Sequence, residues 1–426
     1  MTTKQQLAVI GSGISGLATA WLLRKKFEVT LYERAAHLGM GQQGIDVDTE
    51  FGKKRIDIPI RVFSSLYYPR LFELCQRLKI DLRYLSNDSS FANQEGNAYF
   101  RYYNLMHSDH SQSYALPRIR YIPWLVSFVP DYLKFRKILR HQSYLKDGDD
   151  KTLGELLKFY RFSSRFRDDF IVPVMSAIAT CSTQQILDFP STMIMDLFHA
   201  FMAPKPMKRW VGGTGAIESH LKSAVSHLKL DHPVDQIEHQ GNQAIVTHSS
   251  GEQKAFDRVV VATEAFVAAK LLANDAYLEK DKQLLNKIPY AKADMLVHSD
   301  PEVMPSQKRD WASVNYRLAP KGKLPLATLW INRSEPDFYR VKKQYFQTLN
   351  PDGDYKNAHG EASFRRPICT GTSLEAMRRL AKRQTEDQDR RIFYSGSYLA
   401  DKLPLLENGV QSALTLSKFF EIDDPW

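Results

Sequence analysis

Val9-Ile-Gly-Ser-Gly-Ile-Ser-Gly-Leu17 sets Gly11, Gly13 and Gly16 in the spacing G-x-G-x-x-G. Leu7–Ile10 runs into it as a short apolar stretch, suited to a parallel strand buried on both faces. Beyond the glycines, Leu17, Ala20 and Trp21 fall at helical spacing, and Leu22 and Leu23 widen that face. Val29–Tyr32 reads as a second strand, so the chain opens strand, turn, helix, strand with a right-handed crossover. Gly11 permits the tight turn, Gly13 lets a pyrophosphate approach the backbone, and Gly16 lets the helix pack on the strand. The intervening Ser12, Ile14 and Ser15 carry backbone N–H groups at the positive end of the helix dipole. Glu33 stands 17 residues beyond Gly16, at the end of the second strand, where a carboxylate can accept from a ribose hydroxyl. This opening predicts a dinucleotide-binding α/β domain.

Composition narrows the rest. The 426 residues predict two or three folding units at roughly 150 residues each. With 23 Phe, 20 Tyr and 6 Trp the chain carries too much apolar surface for intrinsic disorder. No apolar run reaches the roughly 18 residues of a membrane span. Met1–Gln6 is polar and leads straight into the first strand, so no secretory leader is expected. Cys75, Cys181 and Cys369 are odd in number and form no C-x-x-C pair, which argues against a disulfide scaffold or zinc site and for the cytoplasm. The net charge of +10 leaves three partners open: nucleic acid, an anionic membrane surface, or an anionic cofactor or substrate.

Further along, Leu66 to about Ile80 has a helical pattern, and Ser86–Ser113 is polar and suits strands and loops. Tyr121–Met207 is rich in Phe, Tyr, Leu and Arg and mostly helical in pattern. Val234–Val261 alternates as a strand series with turns at Gly241-Asn242 and Ser250-Gly251, and Ile288–Ile331 holds further strands. A helix at Ser373–Arg383, a strand at Arg391–Tyr394 and a helix around Asn408–Phe420 close the chain. The expected architecture is a Rossmann-type domain (1–65, 206–266 and 385–426) interleaved with a mixed α+β substrate domain (66–205 and 267–384). The helical part of the latter is 117–205 and its strands lie in 288–332.

After Glu33 comes Arg34-Ala-Ala-His-Leu-Gly-Met-Gly41. An acidic strand end followed by such a segment resembles the start of the superfamily of flavin-containing amine oxidases, phytoene desaturases and protoporphyrinogen oxidases. The resemblance continues in order through Ile56–Phe63, Trp210–Leu221, Val234–Ile237 with Arg258–Thr263, Tyr394–Tyr398 and Gly409–Ala413. It implies non-covalent FAD. Arg34, Gly39, Met40 and Gly41 would belong to the cofactor site, with Arg61 beside the flavin and Val234 against adenine. Gly396, Ser397 and a helix start at Gly409 and Val410 would face the flavin ring or ribityl chain. Met40 breaks the usual glycine doublet, Pro59 stands where Gly is usual, and Ser397 replaces an acidic residue. Val297–Asp300, Trp311–Tyr316 and Trp330–Arg333 resemble a bacterial subgroup similar to flavoproteins that act with cyclopropane- or methyl-fatty-acid synthases.

The resemblance implies an FAD-dependent oxidoreductase on a hydrophobic substrate, desaturating or saturating a lipid acyl or isoprenoid chain. The alternative is an amine oxidase that yields imine and hydrogen peroxide. Amine oxidases of the superfamily place a Lys near the flavin from a substrate-domain strand, and Lys292 is the position to compare. Strand alternation sets Lys292, Asp294, Leu296 and His298 on one face, so Lys292 and His298 are the candidate catalytic residues, against an ordinary half-exposed strand. His107-Ser-Asp-His110 lies in a polar loop without further ligand spacing, so no metal is expected. Tyr121–His141 mixes aromatics with Lys134, Arg136, Lys137 and Arg140; it suits a membrane interface or, alternatively, a core-packed helix with a solvated basic face. No nucleic-acid-binding signature accompanies the dispersed basic residues.

Overall fold

The computed structural model describes residues 4–40, 43–272, 276–318, 324, 326–387 and 389–426. Its first layer is a five-stranded parallel sheet in the order His227–Lys229, Phe27–Tyr32, Gln5–Ile10, Arg258–Val261, Ile392–Tyr394. Leu7, Ala8, Val9, Val259, Val260 and Val261 are fully buried, as their unbroken apolar runs require of strands covered on both faces. Helix Ile14–Leu23 is buried at every position and has no charged residue, so it belongs wholly to the core. A three-stranded antiparallel meander, Val234–Gln240, Gln243–His248 and Gln253–Phe256, stands beside this sheet with the turns where the sequence placed them.

The second layer is a mixed eight-stranded sheet in which Ser89–Ala92 pairs parallel with Val314–Arg317. Its far edge is Ala358–Pro367, paired along the whole of Tyr290–His298. Helices between Ile122 and Met202 cover it. Phe100 meets Trp124 at 4.5 Å between ring centroids, Trp124 meets Phe128 at 4.4 Å, and Phe128 meets Phe170 at 5.2 Å. That aromatic chain welds the helical block to the strands.

Two sequence motifs far apart are joined by one carboxylate. Asp57 is buried and accepts from Thr214 N (2.9 Å), Thr214 Oγ1 (2.8 Å) and Arg209 Nη2 (2.9 Å), capping helix Thr214–Lys222 from outside. Arg209 also meets Glu335 at 2.6 Å, and burial pushes the Glu335 carboxyl up to about 7. Gly213 precedes the helix at φ 68°, ψ −156°, a region open essentially to glycine, and a Cβ there would sit 2.7 Å from Asp57 Oδ2.

The subgroup-like motifs have a structural use as well. Asp88 is fully buried and binds Ser313 (Oγ, 2.5 Å), Arg333 (3.1 Å) and Arg101 (3.3 Å). Asn315 pins the backbone at Ala312.

Replacing Gly213 by Ala forces a strained backbone and a clash onto a buried carboxylate, an expected cost of about 2 kcal/mol or more. A urea-unfolding midpoint equal to the parent's would contradict this account of the Asp57 cap.

Candidate functional site

The site grows from the turn between Ile10 and Ile14. Gly11 takes φ 103°, and a Cβ on it would lie 2.8 Å from Ala262 O; a Cβ on Gly16 would lie 1.9 Å from Gly11 O. Both positions therefore need glycine, while around Gly13 the space is open. The helix N-terminus at Gly13, Ile14 and Ser15 borders a cavity of about 950 Å3. Gly39, Arg61, Gly396 and Ser397 line the same cavity, with Tyr68, Tyr398, Leu405 and Leu406. The residues fit a bound dinucleotide: free N–H groups of a buried helix start face open space, and the Tyr398 hydroxyl and Arg61 Nη1 are buried there without partners.

Other expected positions support the turn from behind. Glu33 is buried; its Oε2 accepts from Ser12 N (3.0 Å) and Ser12 Oγ (2.6 Å), and its Oε1 accepts from Ala35 N (3.0 Å). Of the carboxylate's roughly four acceptor sites, one is left for a ribose hydroxyl. Gly39 N donates to Ser12 Oγ (2.7 Å), which draws the Arg34–Met40 loop onto the glycine turn. Arg34 is exposed, Met40 is buried, and Gly41 lies outside the described residues. Val234 is half-buried at the first residue of the meander, outside the cavity wall.

The closing helix begins at Leu406, three residues before Gly409, and Glu407 in its first turn accepts from Arg70 N (3.0 Å) and Leu71 N (3.0 Å) at the start of helix Pro69–Arg77. Gly409 then packs on the first helix, where a Cβ would meet Ser15 Oγ at 2.7 Å, and Val410 is core. Leu405 and Leu406, rather than Gly409 and Val410, bring this helix start to the cavity.

Lys292 and His298 do not reach the cavity. The alternation along Tyr290–His298 holds, but Met295 lies on the opposite face from them and lines the cavity. Lys292 is exposed and pairs with Asp294 at 2.8 Å. His298 is fully buried: Asp300 N donates to Nδ1 (3.1 Å), so Nε2 carries the proton and donates to Thr348 Oγ1 (2.8 Å).

Sequence reading missed Tyr68, Met295, Gln347, Arg366 and Tyr398 of the cavity wall. Arg366 sits in Ala358–Pro367, a polar strand whose only signal is alternation. From the helical block come Phe128, Phe170 and Phe198, facing Phe91 and Tyr316 of the sheet. Among the described residues no group of three His, Cys, Asp or Glu side chains is placed to hold a metal.

Comparison with known proteins agrees with this geometry. Residues 9–78 match the family model of an NAD(P)-binding Rossmann-like domain. A search of curated protein sequences returns no match. Among solved structures, cyclohexylamine oxidase from Brevibacterium oxydans superposes with a TM-score of 0.67 at 14% identity, covering 98% of this chain and 100% of that one. The chain shares the fold of this amine oxidase. Putrescine oxidase with bound putrescine shares this fold at a TM-score of 0.63 and 12% identity (98% and 99% covered). So does a fatty acid isomerase from P. acnes that produces CLA, at 0.60 and 13% (99% and 100% covered).

Burial pushes His298 down to about 4 from 6.5, so folding disfavours its protonation and its stability contribution is lost as pH falls through that window. The thermal midpoint is expected to drop between pH 6.5 and 4, and His298→Gln to remove part of that drop. An unchanged profile in the variant would contradict the assignment of His298 as a buried neutral residue.

Proposed function

We propose that the chain is an FAD-dependent oxidoreductase that desaturates or saturates a lipid acyl or isoprenoid chain. The observation that carries this reading is the single cavity of about 950 Å3 running from the glycine turn to a wall of aromatic and aliphatic side chains. Bound flavin would supply the transfer of hydride or electrons. The chain's own residues would do the rest: the N-terminus of Ile14–Leu23 holds the pyrophosphate, Glu33 a ribose, and Leu405–Leu406 the polar edge of the ring. Phe128, Phe170, Phe198 and Tyr316 would exclude water from the reacting chain.

Binding of the flavin is non-covalent in this reading. Cys75, Cys181 and Cys369 are buried outside the cavity wall, and burial pushes the Cys181 and Cys369 thiols up to about 12. The flavin part comprises 1–65, 206–266 and 385–426, and the substrate part 66–205 and 267–384. Charge argues against a cationic amine as substrate: Arg61, Arg136, Lys205, Arg365 and Arg366 line the cavity against one carboxylate, Glu264. Met295 also stands on the strand where a lysine was sought.

In this reading the basic excess at the cavity mouth would meet an anionic membrane surface. Ile119 (77% exposed), Ile122 (50%), Val126 (69%) and Leu133 (57%) recur along one open face of helix Ile122–His141 and the turn before it. Val129 and Tyr114 are exposed on the same side and line the mouth, together with exposed Arg136 and Lys205. Lys137 and Arg140 flank them. Apolar side chains beside cations, at the opening of an apolar cavity, suit a bilayer that delivers substrate sideways. No described helix is long and apolar enough to cross a membrane, so docking would be peripheral.

Two measurements test this. The flavin-loaded protein, kept anaerobic, should bleach with acyl lipids or isoprenoids and stay yellow with a panel of amines; bleaching by amines with peroxide release would reverse the ranking. It should also sediment with phosphatidylglycerol vesicles, less so at high salt, and Val126→Glu with Leu133→Glu should weaken that binding. Equal sedimentation of the double variant would return the stripe to a solvated helix face.

A further inference from the structure

We propose that Gln347 is a positioning residue: its side-chain amide clamps the segment Asp57–Ile60 and thereby sets where the flavin sits against the rest of the cavity. The proposal rests on the FAD reading above and gives a role to a residue of the eight-stranded sheet.

Gln347 belongs to strand Phe346–Leu349 and is fully buried. Leu329 opposite it, Leu349 two residues on and Met295 share its face of the sheet, and all four line the cavity. A primary amide on so apolar a face is costly unless its hydrogen bonds are made. They are made across nearly three hundred residues of chain: Oε1 accepts from Ile60 N (3.0 Å), and Nε2 donates to Asp57 O (2.9 Å).

The segment it holds needs such a partner. Strand Gly52–Ile56 ends just before Asp57, and Pro59 has no N–H to offer. Among the described residues, no backbone–backbone bond holds Asp57, Ile58 or Ile60, although all three are buried. Ile58 and Ile60 pack with Ala293, Met295 and Tyr345, while Pro59, Arg61 and Val62 line the cavity together with Gly13, Ser15 and Ser397. Asp57 is thus tied twice, by its carboxylate to Thr214 and Arg209 and by its carbonyl to Gln347. Only a group that accepts at one end and donates at the other fits between Ile60 N and Asp57 O. Loss of the clamp would let this wall of the flavin site shift, because the packed residues behind it move as a unit.

The test measures FAD affinity by fluorescence quenching and records the visible spectrum of the bound flavin, on the full chain. Gln347→Leu keeps the side chain's approximate size and loses both bonds. It should bind FAD about tenfold more weakly and shift the flavin band. In Gln347→Glu a carboxylate accepts from Ile60 N but cannot donate to Asp57 O, whereas the protonated acid does both. Its affinity relative to the parent should approach one near about pH 5 and fall towards about pH 9, the range in which a buried Glu titrates. Asp57, Arg61, Arg209 and Glu335 are the charged groups on the segment and behind it; both proteins carry them, so the ratio isolates the new carboxyl. Thr348→Val is the control. Thr348 is buried on the opposite face, bonded to His298 and Thr328, so this variant should lose stability and keep the parent's flavin affinity and spectrum.

Parent-like affinity and spectrum in Gln347→Leu would overturn the clamp and leave the FAD reading standing. An equal loss in Thr348→Val, or a ratio for Gln347→Glu that does not change with pH, would do the same. A parent that binds no FAD would remove both. Should Gln347→Leu fail to fold, the pH dependence of Gln347→Glu decides.

Discussion

The structure depends on how closely other segments approach the N-terminus of Ile14–Leu23. A Cβ on Gly16 would fall 1.9 Å from Gly11 O, one on Gly39 would fall 3.2 Å from Gly13 N, and one on Gly409 would fall 2.7 Å from Ser15 Oγ. Three glycines from the start, the following loop and the end of the chain thus meet around one turn of helix. The contact leaves one side of that turn open, at Gly13, and there the cavity begins. A side chain at any of the three would push a wall of the site outward before it touched a ligand.

Electrostatics then divides the cavity by depth. At the glycine turn, charge is met by backbone N–H groups, while Glu33 is spent largely on holding Ser12 and Ala35. Elsewhere Phe91, Phe128, Phe170 and Tyr316 give the cavity an apolar wall. At the mouth the cations are wet and sit beside exposed aliphatic side chains. Asp57 links these regions mechanically, since it caps Thr214–Lys222 and lies four residues before Arg61.

The dinucleotide half was legible because its cause is local. A strand, three spaced glycines and a helix follow directly from Leu7–Leu23, and the buried runs Leu7–Ile10 and Arg258–Val261 pair as their composition implies. The aromatic wall was legible as composition in Tyr121–Met207, though which rings face the cavity was not. The orientation of Tyr290–His298 was lost for a definite reason. Ala291, Ala293 and Met295 make one face apolar while Lys292 and Asp294 charge the other, so the alternation itself pointed to the face that turns inward; the search for a lysine beside the flavin, taken from the family resemblance, favoured the other. Gly409 was read as a ring-facing helix start from the family resemblance alone; its contact with Ser15, near the other end of the chain, leaves no mark in the local sequence. Arg366 gave no signal, since a charged residue on an edge strand is ordinary and its burial is tertiary.

The central claim is that the open face of Gly13–Ser15 and the cavity beyond it hold one flavin dinucleotide. The most direct measurement is a fluorescence titration of flavin-stripped protein with FAD. Saturable quenching at one FAD per chain, abolished by Gly13→Leu in a variant that keeps the parent's far-UV circular dichroism, is the predicted result. Unquenched FAD fluorescence with folded parent protein would contradict it.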